Sequence, residues 1–254
     1  MAIQKTEAFI LRTQLFRSSS LLVTAFSRSF GKIKGVAKGV RGEGVLRSAD
    51  FEPFHLVEIV FYEKIHSELH LISEVATLKT HESLHSNLEI LAYAHYFSEL
   101  IDQLTETHDR HESIFELLGF ALEGLPLMTP SQLTSFFEIR LLREVGFLPY
   151  LDHCLECEEK ELRRVYFSTR QGAIFCERCR TKAPEARMLS LDALRAMQRF
   201  LTKEAGEALV EPLPQKVNRE MSDLVERFLI ERLGKRLKTR RFLKQVNALI
   251  RQPI

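Results

Sequence analysis

Residues 154–179 read CLECEEKELRRVYFSTRQGAIFCERC and hold all four cysteines of the 254-residue chain. They form two pairs, Cys154-Leu155-Glu156-Cys157 and Cys176-Glu177-Arg178-Cys179, with eighteen residues between Cys157 and Cys176. That spacing fits the two-CxxC pattern of a zinc site. A CxxC turn brings two thiolates onto one ion at about 2.3 Å, and four such ligands leave no position for water or substrate. A single structural Zn2+ is therefore the expected cofactor. Residues 164–175 read as a β-hairpin turning at Arg170-Gln171-Gly172, so a zinc ribbon is expected over 151–184. Two redox-active pairs are the rival reading, but no thioredoxin-like βαβ pattern surrounds them and cytosolic disulfides are rare. His153 reads as a solvated loop residue rather than a substitute ligand.

On either side of this stretch the apolar period is helical. Upstream, Ile90, Ala94, Phe97, Ile101 and Leu104 recur at steps of three and four, and a second helix fits 110–122. A third begins at Thr129-Pro130-Ser131-Gln132, where Thr129 can cap, Pro130 suits the first turn and Gln132 can complete a capping box. Gly146 is its natural stop. Downstream, Ser190 can cap a helix to about Lys203, and one long final helix is expected over 217–250. The helical domain is thus split into 81–150 and 185–254 by the inserted ribbon.

Residues 1–80 change to short β-branched runs at Ala8–Leu11, Ser20–Phe26, Ile33–Val40, Phe54–Phe61 and Leu69–Val75, with glycine-rich joints between them. Five short strands without a long helix fit a small closed barrel, an OB-fold or an SH3-like one. The expected fold class is α+β and multidomain.

A net charge of +2 hides segregation. Residues 1–50 carry nine Lys/Arg against three Asp/Glu, residues 227–254 nine against one, and the middle is acidic. Clustered cations attract a polyanion where a weak net charge does not. Within residues 28–47 the cations are Arg28, Lys32, Lys34, Lys38, Arg41 and Arg47. Lys32, Lys34 and Lys38 stand at even spacings, so on an extended strand they share the face opposite Ile33. Such a row can track phosphates, with Phe16, Phe26 and Phe30 near enough to offer stacking surfaces. A second candidate cluster is Lys235, Arg236, Lys238, Arg240 and Arg241.

Other chemistry is missing from the sequence. There is no phosphate-binding P-loop, serine elbow, zinc-protease helix or dinucleotide fingerprint, so no enzyme is expected. His66/His70 and His81/His85 are each four apart, but without carboxylates around them they read as surface histidines near a domain junction. No apolar run approaches the roughly 18 residues of a membrane span, and no secretory signal is expected. A cytoplasmic, nucleoid-associated protein is expected.

The order barrel, helices, ribbon, helices carries further motifs. They are Ser27-Arg28-Ser29-Phe30-Gly31-Lys32 through Lys38-Gly39-Val40-Arg41, Glu138-Ile139-Arg140-Leu141-Leu142 leading to Gly146-Phe147-Leu148-Pro149, and Leu233-Gly234-Lys235-Arg236-Leu237-Lys238. With these the chain resembles the bacterial DNA repair protein RecO family over essentially its whole length. The resemblance implies an OB-fold, a helical domain and a zinc module. It implies a recombination mediator of the RecF pathway that binds single- and double-stranded DNA and anneals complementary strands. It also implies engagement of the tail of single-stranded DNA-binding protein, and work with RecR to load RecA. Carried over by position, Lys32, Lys34, Lys38 and Arg41 look like the DNA surface. A zinc-ribbon adaptor docking acidic proteins is the competing expectation, and a zinc hydrolase or thiol oxidoreductase a third.

Overall fold

A computed structural model of the chain describes residues 2–40, 46–64 and 67–250. The first five strands are β1 (Ile3–Phe16), β2 (Ser20–Ser27), β3 (Gly31–Ala37), β4 (Leu56–Tyr62) and β5 (Leu69–Lys79). They close into a barrel of order β1-β2-β3-β5-β4, with β3 parallel to β5 and the other pairs antiparallel. This OB-like order removes both sheet edges. One fourteen-residue strand serves both sides of the closure. The first half of β1 pairs with β4 and the second with β2, and a register shift between Ile10 and Arg12 lets it bend. Inward positions such as Ile10, Val23, Ile33, Ile59 and Phe61 are at most 3% exposed and fill the barrel. Burying each such side chain contributes roughly 1.5–3 kcal/mol.

Helices α1 (Leu88–Leu104) and α2 (Glu112–Gly124) follow, then α3 (Pro130–Glu144). The ribbon strands β6 (Val165–Ser168), β7 (Ala173–Cys176) and β8 (Arg187–Leu189) precede α4 (Leu191–Thr202), α5 (Ala205–Val210), α6 (Gln215–Leu233) and α7 (Lys238–Ile250). Ser190 caps α4 through a bond from the Ala193 N–H at 3.2 Å, as its position predicts. Gly146, at φ +77°, follows the end of α3 in the left-handed conformation that glycine adopts without strain.

Two sequence expectations are corrected. The capping box at Thr129 does not form. Gln132 instead accepts from the Leu213 N–H at 3.0 Å and donates to the Glu211 carbonyl at 2.9 Å, because the segment after α5 meets the start of α3. The single final helix is two, broken at Gly234, which sits at φ +66°. The chain also divides into two compact units by packing. One comprises residues 1–126 and 237–254, the other 127–236. Helix α7 belongs with the barrel unit because Leu243 and Val246 are buried, Arg240 lies over the Tyr96 ring at 5.1 Å, and Glu99 accepts from the Lys238 and Thr239 N–H groups at its start.

Candidate nucleic-acid face and metal centre

Barrel register decides which side chains share the outward face of β1, β2 and β3, because directly paired residues of an antiparallel ladder point the same way. Gln14 lies opposite Leu22, and Leu22 opposite Val36; Arg12 pairs with Thr24, and Thr24 with Lys34. At one end Phe16 faces Ser20, and Arg17 rests over the Phe16 ring at 5.2 Å. Lys38, one residue past β3, is exposed and makes no ion pair among the described residues; the Val40 N–H bonds to the Ser19 carbonyl and holds this segment to the hairpin. Arg12 is 53% exposed and bonded to Asp102 at 2.9 Å, and Lys34 is 35% exposed and 3.3 Å from Glu68. The face thus carries four cations around a partly apolar strip of Phe16, Leu22 and Val36.

Toward its other end the face is covered. Phe26 pairs with Lys32, and both are buried. The Lys32 Nζ donates to the carbonyls of Asp102 at 2.5 Å and Thr105 at 2.7 Å, with the Asp102 carboxylate at 3.5 Å. Burial lowers its pKa, against the pull of Asp102. The expected outward row of Lys32, Lys34 and Lys38 is therefore corrected: alternation puts them on one side, but Lys32 is closed off by the end of α1. Arg28 is likewise engaged, by Glu7 at 3.0 Å, Glu112 at 3.2 Å and Glu116, with its guanidinium 4.5 Å from the centre of the Phe115 ring. It fastens the β2–β3 turn to α2 instead of facing solvent as a free cation. Phe30 packs half-buried against the barrel core, edge-on to Phe61, which leaves Phe16 as the one of the three phenylalanines on the open end of the face. Arg41 lies outside the described residues. Arg12 and Arg17 stand singly on β1 and its hairpin, outside the 28–47 run of cations, and only the register gathers them with Lys34 and Lys38.

The metal centre is built locally. Strands β6 and β7 pair from Val165 opposite Cys176 to Ser168 opposite Ala173, and Gly172 takes the turn at φ +67°. Cys154 and Cys176 are buried and Cys157 is exposed. The four Sγ atoms all lie within 4.8 Å of one another, with Cys157 and Cys176 at 3.7 Å. A tetrahedral zinc with bonds of about 2.3 Å holds its sulfurs about 3.8 Å apart, so the donors fit a metal ion. Burial works against charging Cys154, yet backbone bonds from Cys176, Cys157 and Glu156 bring it down to about 6. Cys179 is pushed up to about 12 by the sulfurs of Cys157 and Cys176. Four clustered thiols thus cannot all ionise by themselves, whereas a divalent cation deprotonates its thiol ligands outright. Arg178 stands beside this charge, its pKa raised by the sulfurs of Cys176 and Cys157. His153 is bonded by the Tyr150 hydroxyl and is not among the four.

Comparison with known families decides the lineage. The model for Recombination protein O N terminal matches residues 1–81, and that for Recombination protein O C terminal matches 85–241. The chain belongs to the RecO family. Among similar proteins, the DNA repair protein RecO of Anaeromyxobacter sp. (strain Fw109-5) is 32% identical over 254 residues, covering 97% of both chains. That of Symbiobacterium thermophilum is 28% identical, covering 96% of this chain and 97% of its own. The Bacillus pumilus protein is also 28% identical, at 96% and 95% coverage.

In this RecO-family chain the second basic cluster is divided. Lys235 and Arg236 are exposed at the end of one unit, Lys238 and Arg241 exposed on α7 in the other. Arg240 leaves the cluster, being 7% exposed against Tyr96. The histidine expectation is corrected for two residues: His70 and His81 are buried, whereas His85 is exposed as expected and His66 lies outside the described residues. No helix among the described residues is long and apolar enough to cross a membrane.

Proposed function

We propose that this chain is a non-enzymatic recombination mediator that holds DNA strands on the outward face of β1, β2 and β3. The observation that carries this is the gathering of Arg12, Arg17, Lys34 and Lys38 around Phe16, Leu22 and Val36 on one side of an OB-like barrel. Cations in such a groove neutralise phosphates, and an aromatic beside them accepts any base by stacking. Contacts of that kind leave base edges free, so a strand held this way can still pair with its complement; annealing follows from screening two mutually repelling backbones. Relatives described as DNA repair proteins support the same reading. The proposed partners are single- and double-stranded DNA, RecR, and the acidic, apolar-ended tail of single-stranded DNA-binding protein, with RecA loading as the outcome in the cytoplasm. The all-thiolate donor set favours Zn2+ in a structural role.

Titrating a labelled oligonucleotide over a salt series tests the reading. Arg17→Glu with Lys38→Glu is expected to weaken binding to every sequence alike and to flatten the log–log salt slope by about 2, near one per lost phosphate contact. A slope unchanged by these substitutions would remove the face. A flat slope in the parent chain would leave the reading of an adaptor for acidic proteins.

A further inference from the structure

The connection between α1 and α2, residues 105–111, lies in a gap of the barrel. The β3–β5 ladder begins only at Lys34 opposite Leu69. Ahead of it, Thr107 bridges Lys32 in parallel, the His108 N–H donates to the Lys32 carbonyl at 3.0 Å, and the Asp109 carbonyl packs on Gly31 so closely that a Cβ there would sit 1.8 Å from it. The Thr105 carbonyl of the same connection accepts from Lys32 Nζ.

Two imidazoles meet at its centre. His70 Nε2 is 3.1 Å from His108 Nε2, and the Lys64 backbone N–H donates to His70 Nδ1 at 3.2 Å. With Nδ1 occupied as an acceptor, neutral His70 carries its proton on Nε2 and donates to His108, whose Nε2 is bare. The direction of the relay is fixed. A proton added to His108 Nε2 sets N–H against N–H, and one added to His70 Nδ1 faces the Lys64 N–H. A metal ion between the two Nε2 atoms would require His70 protonated on Nδ1 and meets the same obstacle.

We propose that His70 and His108 form a proton-released latch on this connection, and that opening it takes the Thr105 carbonyl away from Lys32 and leaves that ammonium to Asp102 at the end of α1, from which it can turn to the outward cationic row. The second clause rests on the strand-binding reading above. Facing the pair are Glu63 and Lys64 on the β4–β5 connection and Glu68 with its partner Lys34, while the neighbouring Asp109 carboxylate is bonded to His111 at 2.8 Å and the Lys32 ammonium to the Asp102 and Thr105 carbonyls. Burial and His108 hold His70 below its usual pKa, with Glu63 opposing, so release belongs below about pH 6.5.

Hydrogen exchange on the full chain, corrected for intrinsic rates, tests the latch. Protection of the His108 amide is expected to fall about tenfold or more between pH 7.5 and 5.0 relative to the β1–β2 ladder. The double variant His70→Gln with His108→Gln, which keeps a donor and an acceptor at the contact and titrates at neither, is expected to keep protection to lower pH. Constant protection in the parent, or an identical loss in the double variant, overturns the latch. So does nitrogen-detected spectroscopy at pH 7.5 showing His70 protonated on Nδ1. In the DNA arm, lowering pH from 7.5 to 5.5 is expected to steepen the salt slope by about 1 in the parent but not in Lys32→Met. An opened latch with equal slopes in both overturns the delivery of Lys32 alone, and absence of oligonucleotide binding at either pH strikes the strand-binding reading instead.

Discussion

Lys32 and Lys38 lie on the same side of one strand, and burial gives them different work. The alternation that sets their direction is local and legible in the sequence. What closes over Lys32 comes from Asp102, seventy positions away, and nothing near Lys32 announces it. Gly31 is the neighbouring case. Its φ of +63° and the Asp109 carbonyl pressed against it both exclude a side chain, whereas Gly39, at φ +71°, has nothing within 4 Å of a built Cβ. Gly31→Ala is therefore expected to destabilise the barrel unit by about 3 kcal/mol or more, strain and clash together, and Gly39→Ala by about 1 kcal/mol from strain alone. Urea unfolding of the two variants measures this; equal losses would show that the 105–111 connection does not press on Gly31.

Among the elements, the ribbon is the one the sequence specifies best, since its two CxxC turns and hairpin are short-range features and the metal geometry follows from them. Cys154→Ser removes the most buried thiolate. It is expected to abolish tight metal retention and to lower the melting temperature of the 127–236 unit by roughly 10 °C, read by metal analysis and calorimetry. Retained metal and an unshifted transition would show that the four sulfurs do not act together. Helix ends were legible where the signal lies within a few residues of the end itself. Ser190 caps as expected, and Gly146 ends α3. At Thr129 the motif was present and unused, because a buried Gln132 gains more from the backbone of residues 211 and 213 than from a solvent-facing cap. Gly234 shows the converse: helical periodicity runs on through 217–250, and the left-handed glycine that divides it is a weaker signal than the period.

For the molecule as a whole, buried histidines set the acid limit of stability. Burial, then His108, lowers His70; burial, then Lys79, lowers His81; burial, then His85, lowers His95. Each binds its proton less readily folded than unfolded, so the unfolded chain takes up more protons as pH falls below about 6.5, and the histidine contribution to stability drops there. The urea midpoint is expected to decline progressively from pH 7 to pH 5; an unchanged midpoint would mean these rings are not held neutral. Composition and spacing by themselves determined the barrel's strand count, the four clustered cysteines and the cationic bias of the two ends, because these depend on residues a few positions apart or on simple counts. Barrel closure, the pairing of β1 with both β2 and β4, and the return of α7 to α1 decided which cations meet solvent and which are spent on carbonyls and carboxylates. Exposure is a property of what packs on top, and what packs on top of β3 is supplied by chain that no local pattern connects to it.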